Sequence, residues 1–152
     1  MDLLFLVENR KFTTKSIRQD AVFKVVVSMS FQIQRTIPLL RIFDEAKARE
    51  FYIDWLGFTI DWEHRFEEGT PLYMQITKAT LTLHLTEHHG DCTPGAKVFV
   101  ECTDLAAFHS ELLAKKYKYN RPGLEKAFWN ALTMQVNDPF GNKLLFSEAL
   151  TE

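Results

Sequence analysis

"NDPFGNKLLFSEAL", residues 137–150, reads as a chain reversal followed by a strand. Asp138-Pro139 starts the turn, and Gly141 supplies a residue free to take positive φ. From Lys143 to Glu148 polar and apolar residues alternate, as on a strand with one buried face, except at Leu145. Leu144 and Phe146 then point to the core, while Lys143, Leu145 and Ser147 point away from it. An apolar side chain on the open face needs a reason.

The upstream elements come in a clear order. "TIPLLRI" (36–42) is a strand whose Pro38 suggests an edge or end position. Asp44 is a good N-cap for the helix "EAKAREFYIDWL", with Ala48, Phe51, Tyr52, Trp55 and Leu56 on one apolar face and Gly57 as its stop. "FTIDWEHRF" (58–66), "LYMQIT" (72–77) and "TLTLHLT" (80–86) are strands, and "EHHGDCTPG" is a polar loop. "KVFVEC" (97–102) then opens a second round. Thr103 or Asp104 caps the helix "LAAFHSELLAKKY", and "ALTMQV" (131–136) and "KLLFSE" (143–148) are strands. The pattern is β-α-β-β-β twice, with Asp44 and Asp104 as matching caps: an α+β domain of two similar modules, about 33–88 and 95–150.

The period of two sorts each strand into a helix-packed face and an open face. The open faces receive Thr82 and His84; Tyr73 and Gln75; Lys97, Phe99 and Glu101; Thr133 and Gln135; and Leu145. This set is too polar for a core and carries too many large groups for a plain solvated face. It suits a ligand cup.

Composition excludes several classes. The 152 residues are 46% hydrophobic and 25% charged, in the range of one globular domain. A net charge of −2 gives no basic field for nucleic acid. No apolar run is long enough to span a membrane. Cys92 and Cys102 read as reduced thiols in a cytoplasm, and neither sits in the setting of an activated thiolate. Ser110 and Ser147 lack any recognised base and acid partners. The 13 Phe, 4 Tyr and 3 Trp exceed ordinary core needs and suit a flat ligand. Residues 1–28 lack the punctuation of the rest, and Met29 stands just before the regular pattern begins. The expectation is an N-terminal extension that need not be native, followed by one domain over 29–152.

"LRIFDEAKAREFYIDWLGF" and "DPFGNKLLFSE" resemble the two ends of the glyoxalase, bleomycin-resistance and extradiol-dioxygenase superfamily, the vicinal oxygen chelate fold. "WEHRFEEGTPLYMQI", "LHLTEHHGDCTPGAKVFVE" and "FWNALTMQVNDPFGN" look most like its bacterial bleomycin-resistance proteins. The resemblance covers residues 33–150. It implies paired βαβββ modules forming a U-shaped cup, usually in a homodimer. Metal enzymes of the superfamily bind their ion with His, Gln and Glu on the cup face. Transferred by motif, the ligand positions here fall on Ile37, His84, Lys97 and Leu145. Two aliphatic side chains and an ammonium cannot serve, so only His84 is competent and no metal or other cofactor is expected. The odd Leu145 thus stands where a metal enzyme would keep a carboxylate. The cluster of His84, Glu87, His88 and His89 reads as a strand end and polar loop rather than a ligand set.

The sequence therefore favours a metal-free binder over an enzyme. By the resemblance it would hold a bleomycin-type glycopeptide in clefts at a dimer interface. Such a ligand is cationic with flat heteroaromatic rings, which calls for aromatic surfaces and some acid. Trp129, Phe128, Phe99, Tyr73 and Trp62 are the candidate aromatics, and Glu101 and Glu63 the candidate acids, with His84 and Gln75 between them. The alternatives are a metal-dependent enzyme using His84, Glu101 and Gln75 off the family pattern, His84 and Glu101 as an acid–base pair, or a binder of another metabolite. A chain started at Met29 is expected to unfold in the same cooperative denaturant transition as the full chain; failure of that truncation to fold would refute the dispensable extension.

Overall fold

The structure is a computed structural model that describes residues 31–150. The expectation for residues 1–28 lies outside the described residues, and 31–36 carry no helix or strand. Both modules fall within one compact unit, Ile37–Glu152.

The first module runs β1 (Leu39–Arg41), α1 (Glu45–Ala48, continued as a π-helix over Arg49–Trp55), β2 (Thr59–His64), β3 (Tyr73–Lys78) and β4 (Leu81–Thr86). The second runs β5 (Lys97–Glu101), α2 (Leu105–Ala114), β6 (Glu125–Ala127), β7 (Ala131–Asn137) and β8 (Lys143–Ala149). The strand orders are β1-β4-β3-β2 and β5-β8-β7-β6. In each sheet the first strand is parallel to the last and the other pairs are antiparallel. The fold is thus the α+β pair of βαβββ modules that the element order implies.

Alternation sends one face of each sheet to a common core. Leu40, Met74, Ile76, Leu83 and Leu85 from the first sheet join Met134, Val136, Leu144 and Phe146 from the second. Between them lie Phe51, Tyr52, Trp55, Leu105 and Leu112 from the helices. Trp55 donates its indole N–H to the Leu112 carbonyl at 3.2 Å, and its ring stacks on Tyr117. Large rings at a helix seam bury much apolar area for little rotamer entropy.

The turn at 138–142 is a buried polar knot. The Asp138 carboxylate accepts from the Tyr52 hydroxyl at 2.8 Å, the Phe140 N–H at 2.9 Å, and the Asn142 N–H and side-chain amide at 2.7 Å each. The same Asn142 amide donates to the Arg41 carbonyl at the end of β1. Asn142 is 1% exposed, and the turn closes through Gly141 at φ 95°, a conformation that glycine takes without cost. Burial pushes the Asp138 carboxyl above its ordinary range, and these hydrogen bonds pull it back.

The two helix starts differ. Asp44 accepts from the Lys47 N–H, as expected of a cap. Asp104 does not cap its helix: it sits at φ 57°, and its side chain makes no capping bond. Glu148 of β8 does so instead, accepting from the N–H groups of Asp104 at 2.7 Å and Leu105 at 3.0 Å. A carboxylate reached from another strand satisfies the same orphan donors as a local cap.

Replacing Tyr52 with Phe keeps the ring and removes one donor from a buried carboxylate. Tyr52→Phe is expected to lower unfolding free energy by about 1.5–3 kcal/mol in urea denaturation, the range for a hydrogen bond to a charged group.

Candidate functional site

The open face of the first sheet is built around His84. Cross-strand register places it between Leu39 on β1 and Gln75 on β3. Trp62 stands opposite Gln75, and His64 opposite Tyr73. The register slips between Ile60 and Trp62, so Asp61 is an extra residue. Such a bulge sends two successive side chains to one side. Ile60 stays on the core face opposite Ile76, and both Asp61 and Trp62 reach the open face.

These side chains form one connected group. Gln75 donates its amide to Asp61 Oδ2 at 2.7 Å, and the Thr77 hydroxyl donates to the same oxygen at 2.6 Å. That fixes the amide, so Gln75 Oε1 accepts from His84 Nε2 at 3.0 Å. His84 Nδ1 then accepts the Tyr73 hydroxyl proton at 2.8 Å. Burial, then the charge of Asp91 and the Cys92 thiol, push the Tyr73 hydroxyl above its ordinary range, which keeps that proton in place. Trp62 and Tyr73 lie parallel, 5° apart with centroids at 5.9 Å, and both meet the His84 ring edge to face. With Trp62 43% exposed, the result is a flat, partly open aromatic platform over a polar relay.

Glu63 corrects the expectation. It stands opposite the buried Met74, on the helix side, and pairs with Arg49. The bulge is the cause: it inverts the alternation beyond Asp61. The acid on this face is Asp61, which alternation from Ile60 already sends to the open side; the bulge adds Trp62 to that side and turns Glu63 away from it.

The open face of the second sheet carries the other candidates. Phe99, Leu145 and Gln135 lie in one row across β5, β8 and β7, and Glu101 opens the adjacent row with Ser147 and Thr133. Leu145 is half-buried in its row, which is the reason an apolar side chain stands there. Phe128 and Trp129 form the β6–β7 turn, T-shaped at 4.8 Å, and Phe128 is 97% exposed. A hollow of about 690 Å³ brings these two together with Lys97, Gln135 and Leu145. Glu101 has no hydrogen bond or ion pair among the described residues, and the side chains that hold His84 come from its own sheet, not from Glu101.

The residues at the family's metal positions do not fit an ion. Ile37 and Leu145 have no donor atom, and Lys97 brings a cation. His84 has both ring nitrogens in hydrogen bonds, whereas a ligating histidine needs one free for the metal. Among the described residues no three His, Cys, Asp or Glu side chains converge as a metal set. Burial raises both thiols, Cys92 and Cys102, above their ordinary range, so neither is an activated nucleophile.

A family model described as a glyoxalase superfamily protein matches residues 20–152. No curated protein matches the chain. Among solved structures, the chain is similar to a bleomycin-binding protein complexed with bleomycin, at 21% identity and TM-score 0.59, covering 78% of this chain and all of that one. It is similar to a bleomycin resistance determinant encoded on the transposon Tn5, at 22% identity and TM-score 0.61, with the same coverage. It is also similar to a glyoxalase-related enzyme from Clostridium phytofermentans, at 16% identity and TM-score 0.64, covering 80% of this chain and 99% of that one.

The relay makes one spectroscopic prediction. Long-range nitrogen–proton correlation spectra are expected to show His84 as the Nε2–H tautomer, and Gln75→Leu is expected to release it to exchange between both forms. An Nδ1–H resonance in the unmodified protein would contradict the relay.

Proposed function

The chain belongs to the glyoxalase superfamily, and on that premise we propose that it is a metal-free small-molecule binding protein of the bleomycin-resistance type. It sequesters a bleomycin-like glycopeptide without chemical change, in a cleft completed by a second copy of the chain, in the cytoplasm. The observation that carries this reading is the Trp62–Tyr73 platform, locked to His84 where a metal enzyme of the superfamily would present a free ligand. The exposed Trp62 ring, backed by the parallel, half-buried Tyr73, accepts a flat heteroaromatic group by stacking. Asp61 beside them, and Glu101 on the second sheet, supply the negative charge that a cationic ligand needs.

Phe128, Trp129 and Phe99 form the apolar part of the second open face. Their exposure supports the dimeric half of the proposal, since large exposed rings on one face mark a binding or assembly surface. The likeness to the bleomycin-binding structures supports the choice of ligand class, and Leu145 in place of a carboxylate supports the absence of a metal.

Titration of untagged protein with bleomycin, followed by tryptophan fluorescence, is expected to quench at micromolar drug. Trp62→Ala is expected to weaken that binding by about 30-fold or more, the scale of an aromatic hot spot. Metal analysis of the same protein is expected to find none at stoichiometric level. Stoichiometric zinc, nickel, manganese or iron would overturn the metal-free reading; absence of quenching would reject a bleomycin-type ligand.

A further inference from the structure

A second cavity lies between the first helix and the segment after α2, and it shares Asn120, Arg121 and Asn137 with the hollow on the second sheet. Its volume is about 500 Å³, within the range of small-molecule sites. Its walls are Lys47, Glu50 and Phe51 of the first helix and Tyr117, Tyr119 and Arg121 of the segment after α2. Glu50 and Phe51 come from the π-helical stretch, a geometry that is rare and often kept at functional positions.

The second wall comes from "KKYKYNR", residues 115–121, which has four cations and two tyrosines and no acid. Its segment is held in place. Tyr117 stacks on Trp55 at 5.0 Å, Tyr119 meets Tyr117 edge to face at 5.6 Å, and Asn120 donates to the Asn137 carbonyl at 2.9 Å. Phe51, Tyr117 and Tyr119 thus form a continuous ring ladder along the cavity.

Charge decides what such a cavity takes. Lys115 is spent on Glu111 and on the Asp54 and Trp55 carbonyls. The Asp138 carboxylate in the floor is saturated by its four donors. Glu50 also lines the cavity, with no ion pair among the described residues. Lys47 and Arg121 line the cavity with no ion pair among the described residues. Two cations against one unpaired acid leave a positive excess beside an aromatic wall, and this fits a flat ring bearing an anionic group, which a guanidinium can grip with two donors.

We propose that this cavity is a binding site for a small aromatic anion, an aryl carboxylate or aryl phosphate, distinct from the Trp62–Tyr73 platform and bordering the second-sheet hollow. The ring lies along Tyr117 and Tyr119, and the anion sits between Arg121 and Lys47. This site does not depend on the bleomycin-type reading.

Amide spectra of the full-length protein, titrated separately with phenyl phosphate, benzoate, benzylamine and inorganic phosphate to about 10 mM, test it, the range where weak sites are read. One or both aryl anions are expected to shift the amides of Lys47, Glu50, Tyr117 and Tyr119, benzylamine is expected not to, and inorganic phosphate is expected to act more weakly than phenyl phosphate. Arg121→Ala, an exposed position, is expected to weaken binding by about tenfold or more, as loss of a charge-assisted contact does. Lys47→Ala is expected to act in the same direction. No shift with either aryl anion, equal shifts with benzylamine, inorganic phosphate acting as strongly as phenyl phosphate, shifts confined to residues of the sheet faces, or unchanged affinity in Arg121→Ala would each overturn the proposal. Bleomycin quenching that survives or fails is read separately, through Trp62.

Discussion

A carboxylate cannot be buried without donors, and Asp138 satisfies that demand with groups from distant parts of the chain. Tyr52 reaches it across 86 residues of sequence. Two of its other donors are backbone N–H groups of its own turn, and Asn142 carries the connection on to the end of β1. One charged group therefore sets the turn, anchors the first helix, and starts β8 in a defined phase. That phase puts Leu144 and Phe146 on the core and Leu145 and Ser147 on the open face. A slip of one residue would exchange the two sets. The Asp-Pro-Phe-Gly-Asn turn is thus a device for burying one anion, and the sheet-face chemistry is downstream of it.

Much of this was legible in the sequence, because alternation and helical spacing report burial directly. The open-face positions of His84, Gln75, Tyr73, Phe99, Glu101 and Leu145 follow from parity alone, and so does Glu148 on the opposite side. What escaped has physical reasons. The bulge at Asp61 leaves no mark in the composition, so nothing in the sequence turns Trp62 to the open face or the candidate acid Glu63 to the helix side. The strand β6 is three residues long, too short for a period to show. Glu148 caps α2 from 43 residues away, and a local sequence pattern holds no record of that distance. The π-helical stretch has the same apolar spacing as an ordinary helix of its length. Its widening has no account in the residues themselves.

The two open faces are chemically unequal. The first holds rings tied into a hydrogen-bond relay, with Asp61 at one end and Tyr73 at the other. The second holds rings at a turn, nearly free of the scaffold, beside a hollow with a lysine. A platform fixed by hydrogen bonds orders a ligand at little entropic cost, whereas exposed rings on a turn lack such ties. The superfamily places unrelated chemistries on this one scaffold, so these side chains, and not the fold, decide what is bound.

The bulge at Asp61 has a further effect, because β2 is one of the two outer strands of its sheet. An outer strand offers an unpaired row of backbone groups to any other chain, and that row is a route to misassembly. At Asp61 the ladder is interrupted and the local twist sharpened, and carboxylates stand on both sides of the strand, Asp61 on one and Glu63 on the other. A foreign strand added there would have to break register and sit beside two negative charges. The residue that completes the polar relay thus also guards the sheet against aggregation along its free margin.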